Sequence, residues 1–193
     1  MKISVAVPSY NYGEYIYDCL KSIKEQDYNN YEVLISDGGS TDNSLKIINE
    51  FCASDERFTL VSTFDSGQAE AIMKSFSHAT GDILCFLNSD DLYIGIDVFR
   101  SVVLSFMNYK VADVISFQGY YLDISGNYIR KVRLRYHPLD STANMKYRTA
   151  VLQPATFWKK IVYDTIPIHI DRHYVFDSIF FYQAYKKYSW LDL

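Results

Sequence analysis

Apolar positions along the first 118 residues follow two alternating rhythms. Short continuous runs at 3–7, 31–36, 58–62, 83–87 and 111–117 read as buried strands. Between them, apolar residues recur every three or four positions. Ile16, Leu20 and Ile23 mark a helix over about 14–26, and Leu45, Ile48 and Phe51 mark a second. Ala69, Ile72, Met73, Phe76 and Ala79 mark a third, stopped near Gly81, and a fourth runs over about 96–108. Continuous apolar strands alternating with amphipathic helices predict a mostly parallel sheet covered on both faces. Right-handed crossovers make that an open α/β sheet, whose ligands bind beyond the carboxyl ends of the strands. The polar loops 8–11, 37–42 and 88–91 all fall at that end.

The rhythm changes after about residue 118. Ser125-Gly126-Asn127 reads as a turn between strands at 120–124 and 128–134. Lys131, Arg133 and Arg135 alternate with Val132 and Leu134, which places the cations on one strand face. Such a face either meets an anionic acceptor or lipid surface, or protects an exposed sheet edge by charge. A strand at 152–158 and a terminal helix at 176–188 complete the pattern.

Composition narrows the partners. Of 193 residues, 49% are hydrophobic and 22% charged, enough for one packed core and too apolar for a disordered chain. Lys plus Arg total 19 against 23 Asp plus Glu, and a net charge of −4 argues against nucleic acid as a partner. Cys19, Cys52 and Cys85 are odd in number and widely spaced, which suits neither a disulfide framework nor zinc and fits a reducing compartment. The amino-terminal apolar run meets Pro8 too soon for a signal sequence, and no apolar run approaches the roughly 18 residues of a membrane span. The 18 tyrosines could stack on sugars or simply fill the core.

No dinucleotide fingerprint, P-loop, zinc-protease helix or esterase elbow occurs. Carboxylate chemistry at strand ends remains. Asp90 and Asp91 are adjacent just past a buried strand. Two carboxylates about 5 Å apart repel by roughly 3 kcal/mol at an effective dielectric of about 20, and a divalent cation offsets that directly. Carboxylate oxygens suit hard ions such as Mg²⁺ or Mn²⁺. The alternative for residues 88–91 alone is a solvated turn and helix cap. His169 and His173 stand four apart, but Ile166-Pro167-Ile168 argues against the helix that would let them share a metal.

Taken together, Val7-Pro8-Ser9-Tyr10-Asn11, Ser36-Asp37-Gly38-Gly39-Ser40-Thr41-Asp42, Asp65-Ser66-Gly67-Gln68 and the run from Gly81 to Asp91 resemble family 2 glycosyltransferases of the GT-A fold. The resemblance is strong over 1–118 and continues weakly through Gln153-Pro154-Ala155-Thr156-Phe157-Trp158 and Phe176-Asp177. It implies a nucleotide-sugar-binding half at 1–118 and a smaller β-rich acceptor-side portion at 119–193 of the same domain. It further implies inverting transfer of a sugar from a nucleoside diphosphate donor, usually a uridine one, to a glycan or lipid-linked hydroxyl with Mn²⁺ or Mg²⁺. In this reading Pro8 and Tyr10 line the base pocket, Asp37 accepts the uracil N3–H, and Gly67 and Gln68 lie beside the nucleotide. Asp90 holds the ribose or metal, and Asp91 holds the metal on the diphosphate. The catalytic base is the Asp of an acidic pair opening a late helix. Asp177 holds the matching place although Phe176 replaces the Glu, and Asp171 is the second candidate. Gln153 and Trp158 belong to the sugar or acceptor pocket, with the Trp158 ring equally suited to the core. A lipid-linked acceptor would place the protein in the cytoplasm at the inner membrane face. The competing readings are a nucleotide-sugar-binding module without turnover, a portion of a larger transferase, and a pyrophosphorylase. The last would need a glycine-rich basic loop after the first strand, and none occurs there.

Overall fold

The computed structural model describes residues 1–123, 125–132, 151–171 and 175–193. Its first half alternates β1 (Ile3–Ser9), α1 (Ile16–Lys24), β2 (Tyr31–Asp37), α2 (Ser44–Ser54), β3 (Phe58–Ser62), α3 (Gln68–Ser77), β4 (Ile83–Phe86) and α4 (Val98–Asn108). Then come β5 (Val114–Ser116), β6 (Tyr120–Leu122), β7 (Tyr128–Lys131), a 3₁₀ turn Gln153–Ala155 and β8 (Thr156–Lys159). The helices α5 (Lys160–Thr165) and α6 (Phe176–Lys187) and the strand β9 (Trp190–Asp192) close the chain.

One seven-stranded sheet carries the order β3-β2-β1-β4-β8-β5-β9, and among the described residues β6 pairs only with β7. β1 runs parallel to β2 and β4, as the strand–helix alternation requires. Every residue of β1 is buried, because helices cover both faces of the sheet. Side chains alternate between two cores. Val5 and Cys85 join α1, α2 and α4 on one face. Ala6 and Leu84 join α3, α5 and α6 on the other. Much of the chain after residue 118 is not a separate layer: β8 runs antiparallel between β4 and β5, and β9 pairs with β5, so these later strands complete the same sheet.

Several boundaries differ from the periodicity. The first helix begins at Ile16, after a turn in which Tyr15 N donates to Tyr12 O at 2.9 Å. The fourth begins at Val98, because Gln26 reaches across to Gly95 O at 2.9 Å and accepts from Phe99 N at 3.2 Å. The strand anticipated at 111–117 is trimmed to Val114–Ser116, and Val111 stands 81% exposed. The run at 152–158 divides, since Pro154 has no N–H for a ladder and the chain turns before β8 starts. α5 and β9 were not anticipated: a six-residue helix and a three-residue strand are too short to show a period. The hairpin appears as β6 and β7, whereas Ile124, Arg133, Leu134 and Arg135 lie outside the described residues. No helix among the described residues is long and apolar enough to cross a membrane.

Candidate functional site

Four loops at the carboxyl edge of the sheet are stitched to one another. After β1, Asn11 takes a positive φ of 56°, a conformation Asn tolerates, and its Oδ1 accepts from Thr41 N at 2.8 Å. Asn11 N donates to Ser40 Oγ and Gly38 N to Ser9 O, both at 2.8 Å. Ser89 Oγ donates to Pro8 O at 2.7 Å, which ties the loop after β4 to the loop after β1. Ahead of α3, Gly67 turns at φ 140° and donates its N–H to Asp65 Oδ1 at 3.0 Å.

The stitched loops enclose a cleft of about 660 Å³. Pro8 and Tyr10 line it from the first loop, Gly38 from the second, and Asp65, Gly67 and Gln68 from the third. Asp90 from the fourth loop stands exposed at its rim. The amino terminus of α3 opens on this cleft and favours an anion there. A second cleft, of about 820 Å³, shares Asp90 and adds Asp91; Tyr15, Tyr93, Tyr120 and Tyr121 supply aromatic wall. The Asp90–Asp91 couple therefore forms the boundary between two clefts.

Among the described residues nothing cationic compensates the couple's charge. Burial, then the neighbouring Asp90, push the Asp91 carboxyl up to about 6, against a hydrogen bond from Asn88. Asp90 is also the main reason the Tyr12 hydroxyl is raised. Among the described residues no Lys or Arg pairs with either carboxylate, and no cluster of three or more metal-ligating side chains occurs. Two hard oxygen donors in need of a cation fit Mg²⁺ or Mn²⁺, with remaining ligands from water and phosphate.

The other anticipated residues divide. Gly67 and Gln68 flank the first cleft as expected. Asp37 does not present its carboxylate there: it is fully buried, and it accepts from Gly39 N at 3.0 Å, Ser40 N at 2.7 Å and Ser40 Oγ at 2.6 Å. The Gly-Gly-Ser turn folds its own donors back onto that carboxylate, so Asp37 shapes the loop from beneath. Asp65 was missed as a binding residue. It lines the cleft, burial raises its carboxyl, and its Oδ2 has no hydrogen-bond partner among the described residues. The signal was its place in the quoted motif, one turn ahead of α3.

Trp158 is a correction. It is 1% exposed and packs against Phe76, Phe86, Phe180 and Phe181, because β8 is an interior strand and its face is covered by α3 and α6. It lines neither cleft. Gln153 is also buried and lies behind the cleft wall, bonded to Phe86 O and to Asn88. Asp177 sits in the first turn of α6, where Oδ1 accepts from Ser178 N at 2.6 Å. It lines neither cleft, although Phe176 beside it meets Phe86 at the root of the Asp90–Asp91 loop, ring centroids 6.1 Å apart. Asp171 lies in an exposed turn and lines neither cleft. His169 is outside any helix, as Pro167 requires, and His173 lies outside the described residues.

Comparison with known proteins completes the description. A curated relative, the glycosyltransferase GlyG of Streptococcus pneumoniae serotype 4, is 38% identical over 91 residues, 47% of this chain and 30% of GlyG. A PGL/p-HBAD biosynthesis glycosyltransferase of Mycobacterium tuberculosis is 26% identical over 164 residues, 84% of this chain and 61% of that protein. The chain thus spans from under a third to about three fifths of these relatives. Among solved structures, Staphylococcus aureus TarS 1-349 in complex with UDP superposes with a TM-score of 0.77 at 21% identity, covering 100% of this chain and 58% of that one. The mannosyltransferase PcManGT of Pyrobaculum calidifontis, in complex with GDP-Man and Mn²⁺, superposes with a TM-score of 0.71 at 22% identity, covering 100% of this chain and 54% of its own. These likenesses establish the fold as GT-A type. The model of glycosyl transferase family 2 matches residues 4–188, and the chain belongs to that family.

Proposed function

We propose that this chain transfers a sugar, with inversion, from a nucleoside diphosphate donor, a uridine one by preference, to a hydroxyl of a glycan or lipid-linked acceptor. The observation that carries the reading is the convergence of four strand-end loops on one cleft, bounded by the Asp90–Asp91 couple, which has no Lys or Arg partner among the described residues. The UDP bound by TarS and the GDP-Man and Mn²⁺ bound by PcManGT support it. Pro8 and Tyr10 flank the base, and Asp37 holds their loop partner in shape. Asp65 offers an acceptor to a base N–H. Gly67 and Gln68, at the start of α3, face the anionic part of the donor. Asp90 and Asp91 would hold the divalent cation. Bound there, Mn²⁺ or Mg²⁺ supplies Lewis acidity to the departing nucleoside diphosphate. The tyrosine-walled second cleft accommodates the sugar and the acceptor. The base assigned to the attacking hydroxyl is Asp177, at the opening of α6, with Asp171 as the alternative; neither lines a cleft as it stands, so either would have to be brought to the acceptor when donor and acceptor bind.

The test is release of UDP from UDP-sugars with Mn²⁺ and an acceptor panel. Asp91→Ala should abolish release, and release that survives it would overturn the reading. Asp177→Asn should leave UDP affinity within about threefold, below roughly 0.7 kcal/mol, and cut transfer by about 10² or more. Transfer at the wild-type rate by that variant would remove Asp177 from the role.

A further inference from the structure

The backbone pairing of β4 with β8 covers only Ile83↔Lys159 and Leu84↔Trp158. Beyond Leu84 the two strands part, and the chain of β4 leads within a few residues to Asp90 and Asp91. On the β1 side this departing segment remains anchored by Leu87 N to Ala6 O at 2.9 Å and by Ser89 Oγ to Pro8 O. On the β8 side the anchor is a side chain. Gln153, 7% exposed, donates from Nε2 to Phe86 O, the carbonyl that β8 has stopped pairing. Its Oε1 accepts from Asn88 Nδ2 at 3.3 Å, and Asn88 Oδ1 accepts from Gln68 Nε2 at 2.6 Å. A single amide thus fills the place of a missing strand partner and links the carboxylate loop to the first residue of α3. Its chain neighbours Leu152 and Pro154 line the second cleft, while Gln68 and Asn88 line the first.

We infer that Gln153 is a positioning residue: it fixes the Asn88–Asp91 loop so that both carboxylates face one cation, and it couples the two clefts through Asn88. The inference rests on the cation-and-donor reading above. A buried primary amide suits the task because it donates and accepts at once, and loss of either bond strands a buried carbonyl or amide. Groups that orient metal ligands typically account for about 10- to 100-fold in metal affinity.

The experiment titrates Mn²⁺ against the protein at fixed UDP and follows binding by calorimetry and by the Mn²⁺ spin-resonance signal. Every variant is measured well below its own melting temperature. Gln153→Met, close in length but without the bonds, should weaken Mn²⁺ by about tenfold or more while metal-free UDP binding stays within about twofold. Gln153→Glu, which accepts from Asn88 but cannot donate to Phe86 O, should weaken Mn²⁺ in the same direction and serves if the Met variant does not fold. Asn88→Ala should add little in the Gln153→Met background, since both changes break one chain of bonds. Mn²⁺ half-saturation unchanged in the Gln153 variants overturns the inference and leaves the donor reading standing. Equal loss of metal-free and metal-assisted UDP binding overturns it too, as that marks a residue that only keeps the fold. Absence of Mn²⁺-assisted UDP binding in the wild type overturns the donor reading and this inference with it.

Discussion

Asp37 and Asp65 show how two carboxylates of one edge come to have different work. Asp37 is followed by a turn whose amides and hydroxyl curl back on it, so both of its oxygens are engaged within the loop and the group is fully buried. Asp65 is followed by Gly67, which uses one oxygen and leaves the other without a donor among the described residues. One vacant acceptor matches one N–H, such as the N3–H of uracil. Asp65→Asn should therefore weaken UDP by about tenfold, and 3-methyluridine diphosphate should bind the wild type as poorly as UDP binds the variant. A wild type that does not distinguish the two nucleotides in calorimetry would place the base elsewhere. The place of Pro8, Tyr10, Gly67, Gln68 and Asp90 along one cleft was legible in the sequence, because loops at strand ends have no other core to fill. The fate of the Asp37 lone pairs could not, because it depends on how Gly38 and Gly39 turn.

At the scale of the elements, the strands and helices of the first half were legible because two-sided burial writes an unbroken apolar run into each strand. The region after residue 118 was less so. β8 enters the sheet antiparallel and far from its partners in sequence, and only that pairing reveals Trp158 as core. Glu32 on β2 is a similar long-range knot that no local pattern announces. Ser4 Oγ donates to it at 2.6 Å and Thr80 N at 2.7 Å, and Lys2 forms an ion pair with it. Burial alone would raise this carboxyl, but the bonds from Lys2, Ser4 and Thr80 outweigh it and hold it below its ordinary value of 4.5. A carboxylate depressed in the folded state stabilises that state fully above the unfolded value and ceases to do so as pH falls through the folded one. Glu32→Gln should thus lower the urea midpoint at pH 7, and the gap from wild type should close progressively below about pH 4.5. A gap that persists unchanged at pH 3 would assign the loss to packing rather than charge.

For the molecule as a whole, the sheet collects loops that are distant in sequence along one edge, and two clefts meet there at Asp90, with Asp91 lining the second. On the function proposed above, a cation held there would stand between the nucleotide and the tyrosine-lined cleft, as transfer between a phosphorylated donor and a hydroxyl acceptor requires. The chain carries a net charge of −4 and the described lining of the first cleft holds no Lys or Arg to meet a diphosphate, so the proposed reading leaves that neutralisation to a cation. The most direct measurement is a crystal structure of the protein with UDP and Mn²⁺. Metal density joining the Asp90–Asp91 couple to the diphosphate, with the base between Tyr10 and Asp65, is the predicted result. Nucleotide density away from this edge, or metal held without either carboxylate, would contradict the account.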